Sequence, residues 1–176
     1  MKKNNLLLAI FVAAVLFSTN TIAQKFSKLD KSPMDAASFP LSYKESNKVV
    51  KVVYSRPQLK GRTVASLAPA GKVWRTGANE AVEITFYKDV TFGGKAVQAG
   101  TYTLFTIPGE KEWTVILSSA SNVWGSYFYK ESEDIVRVSG KVSVNKEPVE
   151  AFSIAFDKAM NLHMAWGNTI VSVSVK

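Results

Sequence analysis

The chain has 176 residues, no cysteine, a single histidine and a formal charge of +8. This composition excludes disulfides and a thiolate nucleophile, and it leaves too few His and Cys side chains for a transition-metal centre. The basic balance attracts anionic surfaces and acidic glycans, but the dispersed lysines read first as keeping the surface soluble, and they argue against a nucleic-acid stripe.

The N-terminus carries Lys2 and Lys3, an apolar run from Leu6 to Phe17, and Thr21-Ile22-Ala23 ahead of Gln24. That order predicts a helical secretory signal peptide over residues 1–23, too short in its apolar part for a stable membrane span. Its removal would lower the formal charge from +8 to +6, through the loss of Lys2 and Lys3. Export to the periplasm or the extracellular space is the expected localisation. Residues 24–47 are polar and interrupted at Ser32-Pro33 and Phe39-Pro40, and read as an N-terminal arm that wraps the sheet edge or is partly disordered.

From residue 48 onward the apolar pattern has period two. Val50, Val52 and Tyr54 alternate with Val49, Lys51 and Val53, a strand apolar on both faces. Thr63 to Ala68 allows one helical turn. Val82, Ile84 and Phe86 alternate with Glu83, Thr85 and Tyr87. Gly93-Gly94 separates two short strands as a two-residue hairpin turn. Strands follow at Thr101–Ile107 and around Trp113, Val115 and Leu117, and a long one runs from Ile135 to Val144 with Gly140 as an expected bulge. Phe152, Ile154 and Phe156 mark the next. Leu162, Met164 and Trp166 lead into Gly167-Asn168, before Val171, Val173 and Val175. About nine or ten short strands with glycine- and proline-marked turns predict one all-β domain over 48–176. The expected form is an antiparallel β-sandwich, jelly-roll-like or a partly closed barrel.

Three of the four arginines, Arg56, Arg62 and Arg75, fall within twenty residues. Arginine brings a flat fork of donors suited to carboxylates, phosphates and ion pairs. Around them stand Tyr54-Ser55-Arg56-Pro57, Lys60-Gly61-Arg62 and Val73-Trp74-Arg75-Thr76-Gly77-Ala78-Asn79-Glu80-Ala81. Further on come Ala99-Gly100-Thr101-Tyr102, Leu104 to Gly109, Glu112-Trp113-Thr114, Trp124-Gly125 and Val136-Arg137-Val138. In this order the motifs resemble the bacterial family catalogued as domain of unknown function 2911, over roughly Ser32 to Val144. Leu67-Ala68-Pro69-Ala70-Gly71 departs from the pattern, since relatives tend to carry bulkier residues before that glycine. The resemblance implies export and the β fold, and carries no activity over.

The residues themselves point to a site built on Arg56, Arg62, Trp74, Arg75, Asn79 and Glu80. A tight reversal at Thr76 to Asn79 would bring Arg75 to Glu80, and Trp74 would serve as a stacking platform for an anionic or polyhydroxylated ligand. The competing reading is an arginine–glutamate network that pins a long loop, with Trp74 in the core. Exposure of Arg56 and Arg75 separates the two. Glycoside hydrolysis needs two carboxylates at one site, and Glu80 and Glu83, an odd number apart, would face opposite sides of a strand beginning at Glu80. Glu131, Glu133 and Asp134 read as a solvated turn ahead of a weak calcium site. His163 reads as a strand-face histidine, without a nucleophile elbow to serve. Trp124 and Tyr127, beside Gly125, are candidates for an exposed carbohydrate-stacking surface. No nucleotide motif is present and no cofactor is expected. The expected function is a non-catalytic binding or envelope-associated module for an anionic or glycan ligand. The alternatives are a hydrolase of an envelope polymer using Glu80, or a purely structural protein.

Overall fold

A computed structural model describes residues 24–176; the expected signal peptide lies outside the described residues. Nine strands make up nearly all the regular structure. They are β1 (Met34–Phe39), β2 (Val50–Ser55), β3 (Val82–Phe86), β4 (Val90–Phe92), β5 (Lys95–Val97), β6 (Gly100–Ile107), β7 (Glu112–Ser118), β8 (Asp134–Phe156) and β9 (Leu162–Val173). The one α-helical turn among the described residues, α1 (Val64–Leu67), is capped by the Thr63 side chain, which accepts from the Ser66 N–H. No described helix is long and apolar enough to cross a membrane. The all-β expectation holds.

Seven strands form one antiparallel sheet in the order β1-β2-β3-β6-β7-β8-β9, while β4 and β5 form a separate hairpin. The hairpin turns on Gly93 (φ +54°) and Gly94 (φ +85°), two left-handed positions in succession that glycine occupies without a Cβ penalty. It is sewn to the C-terminus through Thr91 and Lys176, which exchange backbone hydrogen bonds of 2.7 and 2.9 Å.

The segment read as an arm contributes β1, paired with β2 from Met34 opposite Ser55 to Phe39 opposite Val50. β1 is the edge strand of the sheet, and it is short and carries a charge at Asp35. Gly140 is not a bulge. It pairs in register with Trp113, and the β7–β8 irregularity falls at Leu117/Ser118. A Cβ at residue 140 would lie 2.6 Å from Val171 Cγ1 and 2.9 Å from Val115 Cγ2, so glycine is there for close packing.

The sheet curls because β8 changes partners along its length. It pairs with β7 up to Lys141 and with β9 from Lys141 to Phe156. Its last third then meets the chain leaving β2. Phe152 N–H donates to the Pro57 carbonyl at 2.9 Å, and Leu59 N–H to the Glu150 carbonyl at 3.1 Å. β9 bends sharply while staying paired with β8. His163 and Ser172 are nine residues apart, which in extended chain is about 30 Å, yet their side chains touch at 2.7 Å. Gly167 (φ +55°) sits at the bend, where the β8–β9 register shifts between Val144 and Val149.

Both faces of the central strands are covered. The concave face holds the main core, in which Trp74, Trp113, Phe152 and Trp166 pack together. Trp74 and Trp166 stack at 5.4 Å with planes 9° apart. On the other face a smaller cluster of Ala81, Phe105 and Ile116 is roofed by Val73, Val123 and Tyr129. Adjacent residues Leu104 and Phe105 of β6 are therefore both buried. The second cluster fixes the position of the loop between β7 and β8, which carries the exposed aromatic residues.

Candidate functional site

The arginine-bearing stretch divides into residues that hold the fold and residues that reach the surface. Trp74 is buried at 5% exposure, so the expected stacking platform is a core side chain. Its backbone explains this: Trp74 exchanges hydrogen bonds with Thr106 (2.7 and 3.0 Å), which drives the indole beneath β6 into the aromatic core. Arg56 is a pin. Its Nε donates to the Phe152 carbonyl (3.1 Å), Nη2 to Ser153 Oγ (2.7 Å) and Nη1 to Asp35 Oδ2 (3.0 Å), which ties β1 and the end of β2 to β8. Arg62 folds back on its own turn, donating to the carbonyls of Leu59 and Gln58 at 2.9 Å each.

Arg75 and Glu80 do not form the expected ion pair. Thr76 (φ +59°) and Asn79 (φ +61°) both take left-handed conformations, so the reversal is wider than a single tight turn. The Arg75 carbonyl accepts from Val82 N–H at 3.2 Å, while Arg75 Nε is buried without a hydrogen-bond partner. Thr76 is fully buried, with its hydroxyl 3.1 Å from Thr106 Oγ1. Glu80 instead forms an antiparallel bridge with Trp124. Residues opposite each other in such a bridge project to the same face.

That bridge brings together groups far apart in sequence. Glu80, Glu83, Asn122, Ser55 and Met34 line a surface concavity of about 200 Å³. The two glutamates therefore share one hollow, contrary to the odd-spacing argument. The reason is that β3 begins at Val82, so Glu80 precedes the strand and strand alternation does not relate it to Glu83. Asn122 N–H points at Glu83 Oε1, 3.4 Å away. Met34, Ser55 and Asn122 were not legible as site residues, because each depends on strand pairing rather than on a local motif, and Glu83 was set aside by the alternation argument.

Beside this hollow lies the aromatic loop. Trp124 and Tyr127 stack at 6.0 Å with planes 13° apart, and they are 58% and 73% exposed; Phe128 is exposed as well. The loop is stapled from below. Ala81 N–H donates to the Val123 carbonyl (2.8 Å), Gly125 N–H to the Asn79 carbonyl (2.9 Å) and Ser126 Oγ to the Val73 carbonyl (3.2 Å). Asn79 thus serves through its backbone. Three apolar rings held open to solvent by a well-bonded loop are a surface arranged for contact rather than burial.

Two further polar clusters have structural explanations. Arg137 binds Glu131 (2.7 Å) and Asp134 (2.9 Å), Lys130 binds Glu133 (3.3 Å), and the Tyr129 hydroxyl donates to Asp134 at 2.7 Å. Each carboxylate of the acidic triplet is thereby ion-paired within the turn. Burial, reinforced by the bond to Asp134, pushes the Tyr129 phenol up to about 12. His163 lies between Ser172 Oγ (2.7 Å, at Nδ1) and Asp157 Oδ2 (3.2 Å, at Nε2). Asp157 is held at about 2, chiefly by the Asn161 side chain, with the Asn161 backbone and His163 adding to it. The order Ser–His–Asp has the partners of a hydrolytic triad. However, Ser172 stands within the β8–β9 ladder, opposite Lys141, and not at a strained strand-to-helix turn of the kind that presents a nucleophile. The cluster joins the two arms of β9 and the Asp157–Asn161 turn.

Residues 32–175 match the family described as "Protein of unknown function (DUF2911)". The chain belongs to that family. No curated protein and no solved structure matches the chain. The family match spans β1 through the C-terminal contact with β4, and so includes the pinning arginine, the hollow and the aromatic loop of this DUF2911 protein.

Proposed function

We propose that this DUF2911 protein is an exported, non-catalytic binding module for glycan chains of the bacterial envelope. The observation that carries the reading is the parallel Trp124–Tyr127 pair, solvent-exposed on a stapled loop beside a hollow with two carboxylates and an amide. Sugar rings offer apolar C–H faces to aromatic planes, and their hydroxyls donate to carboxylates such as Glu80 and Glu83. A rigid platform also lowers the entropic cost of binding. Within the hollow the carboxylates favour neutral rings over anionic ones. The localisation rests on the basic, apolar and small-residue order of residues 1–23.

Binding of neutral oligosaccharides to the wild type and to Trp124→Ala tests this reading, with melting temperature followed in parallel. Lost binding at unchanged melting temperature is the expected result. Binding unaffected by the substitution would remove the platform.

A second reading, hydrolysis of an envelope polymer with Glu80 as acid or base, is favoured by one observation: Glu83 shares its hollow. The arginine assistance expected for it is lacking, since Arg75 does not reach Glu80. Release of reducing ends, abolished by Glu80→Gln, would establish this reading in place of the first.

A further inference from the structure

A second hollow, of about 430 Å³, opens beside the start of β1 and is lined by Lys31, Ser32, Gln58, Lys60 and Arg62. Three cations converge there, and none of them is ion-paired with a carboxylate among the described residues. Two carboxylates lie close by, and each is already engaged with backbone: Asp30 Oδ1 accepts from Ser32 N–H (2.7 Å) and Glu150 Oε1 from Lys60 N–H (2.7 Å). Arg62 is held by its Nε and Nη2 bonds to the Leu59 and Gln58 carbonyls, which leaves Nη1 unengaged. Lys60 sits at φ +48°, an uncommon conformation for a residue with a Cβ, fixed by Glu150 and followed by Gly61 at φ +77°. The turn therefore fixes the Arg62 guanidinium and the backbone of Lys60, and leaves both lysine ammonium groups free to meet a ligand.

We propose that this hollow binds a phosphate or sulfate ester group. A tetrahedral oxyanion suits a guanidinium edge flanked by two ammonium groups. The carrier we infer is a glycan chain, and that part of the inference rests on the glycan reading above; the anion site stands without it. The two hollows lie along the same two segments. Met34 and Ser55, cross-strand partners, line the first, and Ser32 and Gln58, two and three residues further along the same two segments, line the second. At strand spacing this is about 7–10 Å. One chain would place neutral rings against Trp124 and Tyr127, and a charged substituent between Lys31, Lys60 and Arg62. This resolves the opposite charges of the two hollows within one class of ligand, a glycan bearing phosphate or sulfate esters.

The test compares sulfated dextran with unmodified dextran, using the wild type, Lys31→Gln/Lys60→Asn and Trp124→Ala. Neither lysine side chain makes a hydrogen bond in the fold, and asparagine tolerates the left-handed position at 60, so the double variant retains the turn. The expected result is roughly tenfold weaker binding of sulfated dextran by the double variant, with a flatter salt dependence. Its affinity for plain dextran stays unchanged, and inorganic phosphate competes for the wild-type site. Equal binding of sulfated dextran by the wild type and the double variant would overturn the proposal. So would binding to phosphatidylcholine vesicles containing phosphatidic acid without binding to sulfated dextran, which would make the carrier a membrane. If Trp124→Ala changes neither polymer while the lysine variant still loses the sulfated one, the aromatic platform falls and the anion site stands.

Discussion

Arg56→Ala removes three partners at once, and its cost follows from the geometry. The bonds from Nε to the Phe152 carbonyl and from Nη2 to Ser153 Oγ join β2 to β8 in a half-buried setting. Each contributes about 1–1.5 kcal/mol net. The Asp35 pair, with side chains 35% and 44% exposed, adds about 0.5 kcal/mol. The loss is therefore about 3 kcal/mol, and at roughly 2–4 °C per kcal/mol for a domain of this size the melting temperature falls by about 6–12 °C. Calorimetry on the wild type, Arg56→Ala, Arg56→Lys and Asp35→Ala measures it. Lysine lacks the fork and satisfies one partner, so it restores no more than a third of the loss. Asp35→Ala costs little. A drop below about 2 °C for Arg56→Ala, or full rescue by lysine, would refute the pinning role.

The other stability predictions follow from burial and titration. Trp74→Ala opens the aromatic core and costs about 3–5 kcal/mol, or leaves the chain unfolded; urea titration measures it, and a cost below about 1 kcal/mol would contradict the buried placement. Tyr129 is raised to about 12, so its contribution is full below the ordinary phenol value of 10.0 and is lost as pH rises from there to about 12. Ultraviolet titration of the wild type against Tyr129→Phe should show Tyr129 ionising near 12, and Asp134→Asn should bring it down. Asp157, depressed to about 2, contributes stability above the ordinary carboxylate value of 3.8, and this is lost as pH falls from there towards 2. Carboxyl chemical shifts of Asp157 that titrate near 3.8 would contradict its bonds to Asn161 and His163.

Strand periodicity made most of the fold legible. The alternation at Val82, Ile84 and Phe86 and the Gly93-Gly94 turn are local signals, and the structure places both as expected. The bulge at Gly140 failed for the opposite reason: its neighbours Val115 and Val171 come from two other strands, so the need for glycine lies in packing that one strand's pattern does not contain. The site was legible by half. Trp124 and Tyr127 were readable as exposed because they flank a loop glycine outside any alternation. The shared hollow of Glu80 and Glu83 depends on where β3 starts and on the bridge from Glu80 to Trp124, two facts of long-range pairing. Trp74 looked like part of a signature and is instead its anchor, since a buried aromatic residue beside a turn leaves the same local pattern as an exposed one.

The most direct test of the glycan reading is tryptophan fluorescence. Trp74, Trp113 and Trp166 are 5%, 5% and 2% exposed, so Trp124, at 58%, supplies the accessible emission. Iodide should quench a single fraction of the signal, and Trp124→Phe should abolish that fraction. Titration with oligosaccharides should protect it and shift it to the blue. Quenching that persists unchanged at saturating concentrations of every envelope glycan tested would contradict the account.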